Sequence, residues 1–236
     1  MHLLFSDIHA NYEALAIILA AAGREGITSL IHAGDILDYS FQHHEVIREF
    51  VSRNIASVQG NHDQMVSGLE QYFRDDKELD EEEVRYLTGL PQALVFDNIA
   101  VTHDLPPDAG RTPETIQQMT AGKYSADAIR FYFCGHLHNF EIVEIPSGIP
   151  VLPEAEEPLI KKPIMPLSKQ PGTLECFRLQ PDQRYLIRLP AAYQYDPPHK
   201  QWLTQYVTFS EKVLMLQLHT QKFDNTAMLE HLGVMS

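Results

Sequence analysis

The sequence of 236 residues has few cysteines and no long apolar run, and each absence argues against a class of protein. Its two cysteines, Cys134 and Cys176, are too few for a disulfide framework, and their strand-like surroundings predict buried thiols in a reducing compartment. No run of about 18 apolar residues occurs, which argues against a membrane span. No basic segment followed by an apolar stretch opens the chain, which argues against secretion. We therefore expect a cytoplasmic protein with no membrane partner.

Positive charge is also scarce. Lysine and arginine number 18 against 32 aspartates and glutamates, which gives a formal net charge of −14. Such a surface repels nucleic-acid backbones at long range, so no strong nucleic-acid surface is expected. A phosphate-bearing substrate would need local positive charge, and bound metal ions supply it without lysine or arginine. Because a hydrophobic content of 44% is enough for a sizeable core, we expect one domain over residues 1–236.

Strand and helix patterns alternate in the first half of the chain. The strand patterns cover residues 1–7, 28–35 and 55–63. Each is followed by a helical pattern, and in the second helix the inward-facing residues are expected to be Val46, Ile47, Phe50 and Val51. Three successive β-then-α units predict a largely parallel sheet covered by helices.

The second half of the chain is richer in strands. A capped helix over 80–90 precedes two strands that flank a turn at Asp97 and Asn98, and a helix over 112–121 precedes a strand over 131–136. Seven prolines between residues 146 and 172 exclude a long helix there and predict an extended arm or long loop. Four alternating stretches are predicted as antiparallel strands of a second sheet: 173–179, 184–189, 201–209 and 212–220.

Polar residues follow the strand patterns at the point where each strand ends. They are Asp7, His9, Asp35, Asn61, His62, His103, His136 and His138. In an open α/β sheet the carboxyl ends of the strands collect functional groups at one edge, so these side chains are expected to form one cluster. A single strand-end aspartate is usually a helix cap and a single histidine is usually a hydrogen-bonded filler. Five strand ends with oxygen and imidazole ligands together favour a metal site.

Other polar residues have simpler interpretations. Asn11 is a candidate for substrate binding, and an N-cap of the first helix is an equal alternative. Asp63 is interpreted as a cap for the helix that follows it. The remaining histidines lack the strand-end position and are assigned no ligand role: His2, His32, His43, His44, His199, His219 and His231.

Five short blocks resemble, in their order and in the spacing of their glycines, the motifs of the calcineurin-like metallophosphoesterases. They are Asp7-Ile8-His9, Gly34-Asp35 with Asp38, Gly60-Asn61-His62-Asp63, His103 and Gly135-His136-Leu137-His138. The phrase SDIHANYEAL resembles the small bacterial phosphodiesterase branch, whose members commonly have glycine where Ala10 stands. RYLIRLPAAYQ is also similar to that branch, although this chain has Leu189-Pro190-Ala191-Ala192 where an Asn-Pro-Gly-Ser-like turn is usual.

This resemblance implies an α/β fold, a two-sheet mixed β-sandwich flanked by helices in four layers, with two metal ions at one edge. Asp7, His9, Asp35 and His138 would hold one ion. Asp35, Asn61, His103 and His136 would hold the other, with Asp35 bridging the two. Nitrogen and oxygen ligands in this mixture suit the transition metals manganese, iron, zinc or nickel better than calcium or magnesium.

The same resemblance implies hydrolysis of a small phosphoester by attack of a metal-bridging hydroxide. His62 would act as the general acid and Asp38 would orient it. Protein phosphatases and diadenosine-tetraphosphate hydrolases usually follow the second aspartate with arginine and glycine, whereas this chain has Tyr39 and Ser40. Without that arginine fork for a dianionic phosphate, a phosphodiester is favoured. The alternatives are a phosphomonoesterase acting on a nucleotide or other small metabolite, and a non-catalytic metal-binding scaffold, against which the full set of candidate ligands counts.

Overall fold

The computed structural model of the protein describes residues 1–68, 79–104, 129–145, 173–196 and 201–226, which build two mixed sheets flanked by helices. This arrangement confirms the expected α/β, two-sheet fold. The helices in these ranges are α1 Tyr12–Glu25, α2 His43–Ser52, α3 Asn61–Gly68 and α4 Glu81–Thr88. The strands in these ranges are β1 His2–Phe5, β2 Ser29–His32, β3 Ala56–Ser57, β4 Ala93–Phe96, β5 Ile99–Thr102, β6 Phe131–Cys134, β7 Glu141–Ile145, β8 Thr173–Arg178, β9 Arg184–Arg188, β10 Tyr193–Asp196, β11 Gln201–Ser210 and β12 Met215–Phe223.

The first sheet has the strand order β3-β2-β1-β11-β12-β8, and β10 also pairs with β11. Strands β1, β2 and β3 are parallel, as the three β-then-α units predict. Beyond β1 the sheet continues with antiparallel pairs. The second sheet has the order β4-β5-β6-β9-β7, in which β5, β6 and β9 are parallel.

The assignment of all four late strands to one antiparallel second sheet is therefore wrong. Only β9 joins the second sheet, where it pairs parallel to β6, while β8, β11 and β12 extend the first sheet. The physical reason is that alternation of apolar and polar residues specifies which face of a strand is buried. It does not specify which strand lies beside it.

Two apolar clusters stabilise the layers. Leu3 and Phe5 of β1 pack with Leu15 of α1 and Phe50 of α2, whereas Leu4 points to the opposite face and packs between the sheets. In α2 the predicted core residues Val46, Ile47 and Phe50 are buried, but Val51 is 55% exposed. The prediction for Val51 is wrong because successive residues are about 100° apart around a helix, which carries Val51 past the buried stripe.

The two cysteines differ in their exposure to solvent. Both cysteines are free and Cys134 is buried, but Cys176 on the edge strand β8 is exposed, contrary to its predicted burial. The helix predicted over 112–121 and the proline-rich arm at 146–172 lie outside the described residues. Within the described ranges, no helix combines the length and the apolar character that crossing a lipid bilayer requires.

Candidate functional site

The loops that follow the parallel strands β1, β2, β3, β5 and β6 meet at one edge of the two sheets. They bring together the eight strand-end residues singled out in the sequence. Asp7, His9, Asp35 and His103 form a floor that is at most 4% exposed, whereas the side chains of His136 and His138 are each 42% exposed. The cluster is therefore open to solvent on one side only.

The backbone of these loops is unusual. Eight of the eleven non-glycine residues with positive φ in the described chain lie here: Asp7, His9, Ala10, Asp35, Asp38, Tyr39, His136 and His138. Positive φ is unfavourable for residues with a side chain and is often found where function requires a particular side-chain direction. Ala10 has a φ of 56, a conformation that glycine adopts without strain.

Two glycines let the loops approach each other closely. A Cβ atom on Gly60 would collide with the carboxylate and the backbone nitrogen of Asp35. Gly34 has a φ of 91, and a Cβ atom there would collide with the ring of His103. The glycines before Asp35 and Asn61 in the sequence motifs therefore have a direct steric cause.

One group of candidate ligands combines Asp7, His9 and His138. His138 Nε2 lies 3.1 Å from Asp7 Oδ1 and 3.3 Å from His9 Nε2, and His9 Nε2 lies 4.0 Å from Asp7 Oδ1. His9 Nδ1 lies 2.9 Å from the carbonyl oxygen of Leu37, to which it can only donate a proton. This bond leaves the lone pair of a neutral ring on Nε2, pointing into the group. Burial lowers the pKa of His9 and so favours the neutral ring.

A second group combines Asp35, Asn61, His103 and His136. His103 Nε2 lies 3.2 Å from Asp35 Oδ2 and 2.9 Å from Asn61 Oδ1, and His136 Nδ1 lies 3.0 Å from Asn61 Oδ1. His103 Nδ1 donates to the carbonyl oxygen of Ala33 at 2.8 Å, so its Nε2 also faces the group. Burial lowers the pKa of His103, but the hydrogen bond and charge of Asp35 outweigh burial and raise it to about 9. Positive charge is therefore favoured beside Asp35, whether a proton or a metal ion carries it.

The donor set of both groups fits divalent transition metals. Asp7 Oδ1 is buried and makes no hydrogen bond of regular geometry, although buried carboxylate oxygens normally have partners. Carboxylate oxygens and imidazole nitrogens converge within 4.8 Å in two triads that share Asp7, namely Asp7-His9-His138 and Asp7-Asp35-His103. Imidazoles held by backbone carbonyls are typical of metal-binding histidines. The assignment of individual ligands stays a prediction.

His62 and Asp38 form a hydrogen-bonded pair at the open side of the cluster. His62 Nδ1 lies 2.8 Å from Asp38 Oδ2, and the hydrogen bond to Asp38 raises the pKa of His62. The other ring nitrogen, Nε2, lies 3.9 Å from Asp35 Oδ2. This geometry suits the predicted general acid, because a protonated ring would present Nε2–H to the space above Asp35. His62 also forms a possible ligand triad with His9 and Asp35.

Asp63 does more than cap the helix, which was the role predicted from the sequence: it also binds the loop that carries Asp35. It lies inside the first turn of α3 and accepts the N–H of Gly60, as a capping residue would. Its buried carboxylate also accepts the backbone N–H groups of Asp35, Ile36 and Leu37 at 2.9–3.2 Å. Burial and the charge of Asp35 raise the pKa of Asp63 to about 6, so it is ionised at neutral pH. Asp63 thus fixes the loop that carries Asp35.

We expect Asp63→Asn to lower the free energy of unfolding by about 3 kcal/mol. The amide replaces one accepting oxygen with an NH2 group that faces backbone N–H donors, so at least one buried hydrogen bond is lost without compensation. Urea unfolding of the metal-free protein measures the change. Asp182→Asn, at an exposed position, is the control and should change stability by no more than about 0.5 kcal/mol. Equal stability of the two variants would contradict this role.

Two further residues are placed by the structure. Asp104, which the sequence reasoning missed although it directly follows His103, has Oδ1 3.5 Å from His136 Nε2 and helps to orient that ring. Asn11 is buried as the N-cap of α1 and accepts the N–H of Ala14, while its amide donates to Asn225. These contacts favour the cap over substrate binding.

The loop Leu189-Pro190-Ala191-Ala192 follows β9 and is hydrogen-bonded to the chain next to two of the site loops. Leu189 donates its N–H to the carbonyl of Cys134, and Ala192 donates its N–H to the carbonyl of Ser6. Cys134 ends β6 and Ser6 follows β1, so the loop joins the carboxyl ends of strands from the two sheets. Leu189 and Ala192 are fully buried, and their apolar side chains add no polar group that would need a partner there.

Comparisons with known proteins agree with this architecture. A family model described as a calcineurin-like phosphoesterase superfamily domain matches residues 1–155. An uncharacterized protein of Methanocaldococcus jannaschii is 29% identical over 149 residues, covering 57% of this chain and 61% of that protein. The chain thus spans about three fifths of the length of this curated relative.

Two solved structures share the fold. A metallophosphoesterase from Sphaerobacter thermophilus superposes with a TM-score of 0.68 at 22% identity, covering 98% of this chain and 93% of that one. A protein provisionally described as a diadenosine tetraphosphatase superposes with a TM-score of 0.50 at 15% identity, covering 94% of this chain and 93% of that one.

Proposed function

Because the chain belongs to the calcineurin-like phosphoesterase superfamily, we propose that it is a metal-dependent phosphoesterase that hydrolyses phosphodiesters. The observation that carries this proposal is the His62–Asp38 pair, 2.8 Å apart, beside the cluster built on Asp35. A cluster of ligands alone identifies where metal would bind, but not the reaction that follows. An imidazole whose pKa is raised by the hydrogen bond to Asp38, and whose Nε2 lies beside the cluster, is suited to delivering a proton there.

Two divalent transition-metal ions are proposed as the cofactors, with manganese, iron, zinc and nickel as candidates. Asp7, His9 and His138 would hold one ion, and Asn61, His103 and His136 the other. Asp35 would be shared, since its Oδ2 atom lies within 4 Å of imidazole nitrogens from both groups. When bound, such ions supply Lewis-acid stabilisation of phosphoryl oxygens and lower the pKa of coordinated water.

The chain's own residues would then handle the leaving group. His62 would donate the proton on Nε2 to the departing alkoxide, and Asp38 would keep the ring oriented through Nδ1 and favour its protonated form. The backbone N–H of His62 donates to Asp35 Oδ1 at 2.9 Å, which fixes the acid relative to the proposed bridging carboxylate. Proton donor and ligand cluster would thus move as one unit.

The preference for a diester is proposed from charge. A phosphomonoester is a dianion near neutral pH and is often recognised by a bidentate arginine, whereas a phosphodiester is a monoanion. Tyr39 and Ser40 occupy the positions where protein phosphatases usually have arginine and glycine, so this fork is missing from the motif. The substrate would be a small phosphodiester.

The proposal predicts manganese-dependent hydrolysis of bis-p-nitrophenyl phosphate, with p-nitrophenyl phosphate hydrolysed more slowly at equal concentration. Release of p-nitrophenolate measures both reactions, and a chelator followed by added metal tests reversibility. Turnover of the monoester alone would replace the diesterase by a phosphomonoesterase. Protein that stays metal-free after expression in manganese-supplemented medium, or that binds metal without turnover of either ester, would instead indicate a scaffold.

A further inference from the structure

Tyr39 is an exposed aromatic residue at the mouth of the site. Its ring centroid lies 4.4 Å from that of His9 and 4.9 Å from that of His62, yet the residue is 57% exposed. By contrast, His9 beneath it is 1% exposed. A tyrosine that only packed against the histidines would be expected to bury most of its ring. Here much of an aromatic surface remains open directly beside the proposed proton donor.

The backbone at Tyr39 is held in a strained conformation. Asp38 and Tyr39 both have positive φ, at 78 and 55, a conformation that glycine or asparagine adopts more readily than tyrosine. The following N–H, of Ser40, donates to the carbonyl of His9 at 3.1 Å. The Ser40 side chain is hydrogen-bonded to Tyr193. These contacts fix the backbone next to Tyr39, and such strain at an exposed residue indicates a role for its side chain beyond packing.

We infer that Tyr39 forms one wall of a subsite for a planar aromatic group, such as a nucleobase or an aryl ring, on the leaving alcohol. The inference rests on the proposed function. His62 Nδ1 is engaged by Asp38, so only Nε2 is left to meet the leaving oxygen. The substituent on that oxygen must therefore extend past His62, and the tyrosine ring in contact with His62 lies beside its path.

The chemistry of the wall favours a flat partner. Aromatic rings attract each other in stacked and edge-to-face arrangements beyond the effect of buried area, and stacking on tyrosine accepts different bases. Tyr39 carries no charge, so it adds no demand for an anionic substituent. Its position thus distinguishes esters by the shape of the alcohol rather than by the charge of the phosphate.

Binding of three phosphinates to the manganese-loaded protein tests the inference without turnover, because two carbon–phosphorus bonds replace the two ester bonds and the group stays a monoanion like a phosphodiester. Benzyl(methyl)phosphinate and cyclohexylmethyl(methyl)phosphinate have the same head group and similar size but differ in planarity, and dimethylphosphinate reports on the head group alone. Calorimetric titration of wild type, Tyr39→Leu and Tyr39→Phe gives the dissociation constants. Wild type should bind the benzyl compound on the order of five- to tenfold more tightly than the cyclohexylmethyl compound.

Tyr39→Leu should bring this ratio close to one, whereas Tyr39→Phe should keep it. The same ratio in Tyr39→Leu as in wild type, or no benzyl preference in wild type, would overturn the inference while leaving the phosphoesterase proposal intact. If wild type binds none of the three compounds, dimethylphosphinate included, the proposed function fails and the subsite fails with it. Leucine retains a side chain at the same strained backbone position, so the comparison isolates the ring.

Discussion

Asp35→Asn is expected to weaken metal binding by more than about 100-fold and to remove nearly all turnover, since changes to residues that merely support ligands already cost 10- to 100-fold. Asp35 Oδ2 lies within 4 Å of imidazole nitrogens from both ligand groups, 3.2 Å from His103 and 3.9 Å from His9. Asparagine preserves the shape and can still accept the N–H of His62. What it removes is the negative charge, and a shared ligand contributes that charge to both ions.

Metal content of the purified protein and titration of the apoprotein with Mn²⁺ measure this effect. Asp97→Asn is a matched control, because Asp97 is an exposed aspartate that also has a positive φ, of 51, in the turn between β4 and β5. It should bind metal as wild type does. A dissociation constant for Asp35→Asn close to that of wild type would show that Asp35 is not a shared ligand.

The metal-free protein offers a second readout of the same substitution. Asp35 raises the pKa of His103 to about 9 from an ordinary value of 6.5. A raised pKa in the folded state stabilises the fold at pH values below 6.5, and this stabilisation is lost as the pH rises through about 9. In Asp35→Asn, the change in the free energy of unfolding that His103 causes between pH 6.5 and about 9 should largely disappear. Urea unfolding at pH 6 and pH 9.5 compares the two proteins.

The sequence was most informative where geometry follows from topology. Parallel strands expose their carboxyl ends at a common edge, so Asp7, Asp35 and His103 could be grouped without a structure. The partners of β8, β11 and β12 could not be predicted, because period-two alternation carries no information about neighbouring strands. The role of Asp63 in binding the Asp35 loop could not be predicted for a related reason. Three of the four N–H groups that donate to Asp63 belong to the backbone of a loop 26 to 28 residues away.

His62→Ala is expected to retain metal but to lose turnover of esters with poor leaving groups by roughly 10²- to 10⁴-fold, the usual contribution of a general acid. Alkyl esters need a proton on the departing oxygen, whereas p-nitrophenolate leaves readily as an anion. The loss of turnover should therefore be much smaller when p-nitrophenolate leaves, as from bis-p-nitrophenyl phosphate. It should be much larger when an alkyl alcohol leaves from an alkyl p-nitrophenyl phosphodiester. Comparing the two products from one mixed alkyl p-nitrophenyl phosphodiester measures this difference within a single substrate.

The pH profile identifies the role of Asp38 in the same reaction. The hydrogen bond to Asp38 raises the pKa of His62, and the acid must be protonated, so turnover of alkyl leaving groups should fall as pH rises through that raised pKa. Asp38→Asn should shift this fall to lower pH without removing metal. His44→Ala is the matched control, because His44 Nδ1 lies 2.7 Å from a Glu83 carboxylate oxygen between α2 and α4, away from the ligand groups. Loss of metal in His62→Ala would make His62 a ligand, and equal losses for both leaving groups would exclude it as the general acid.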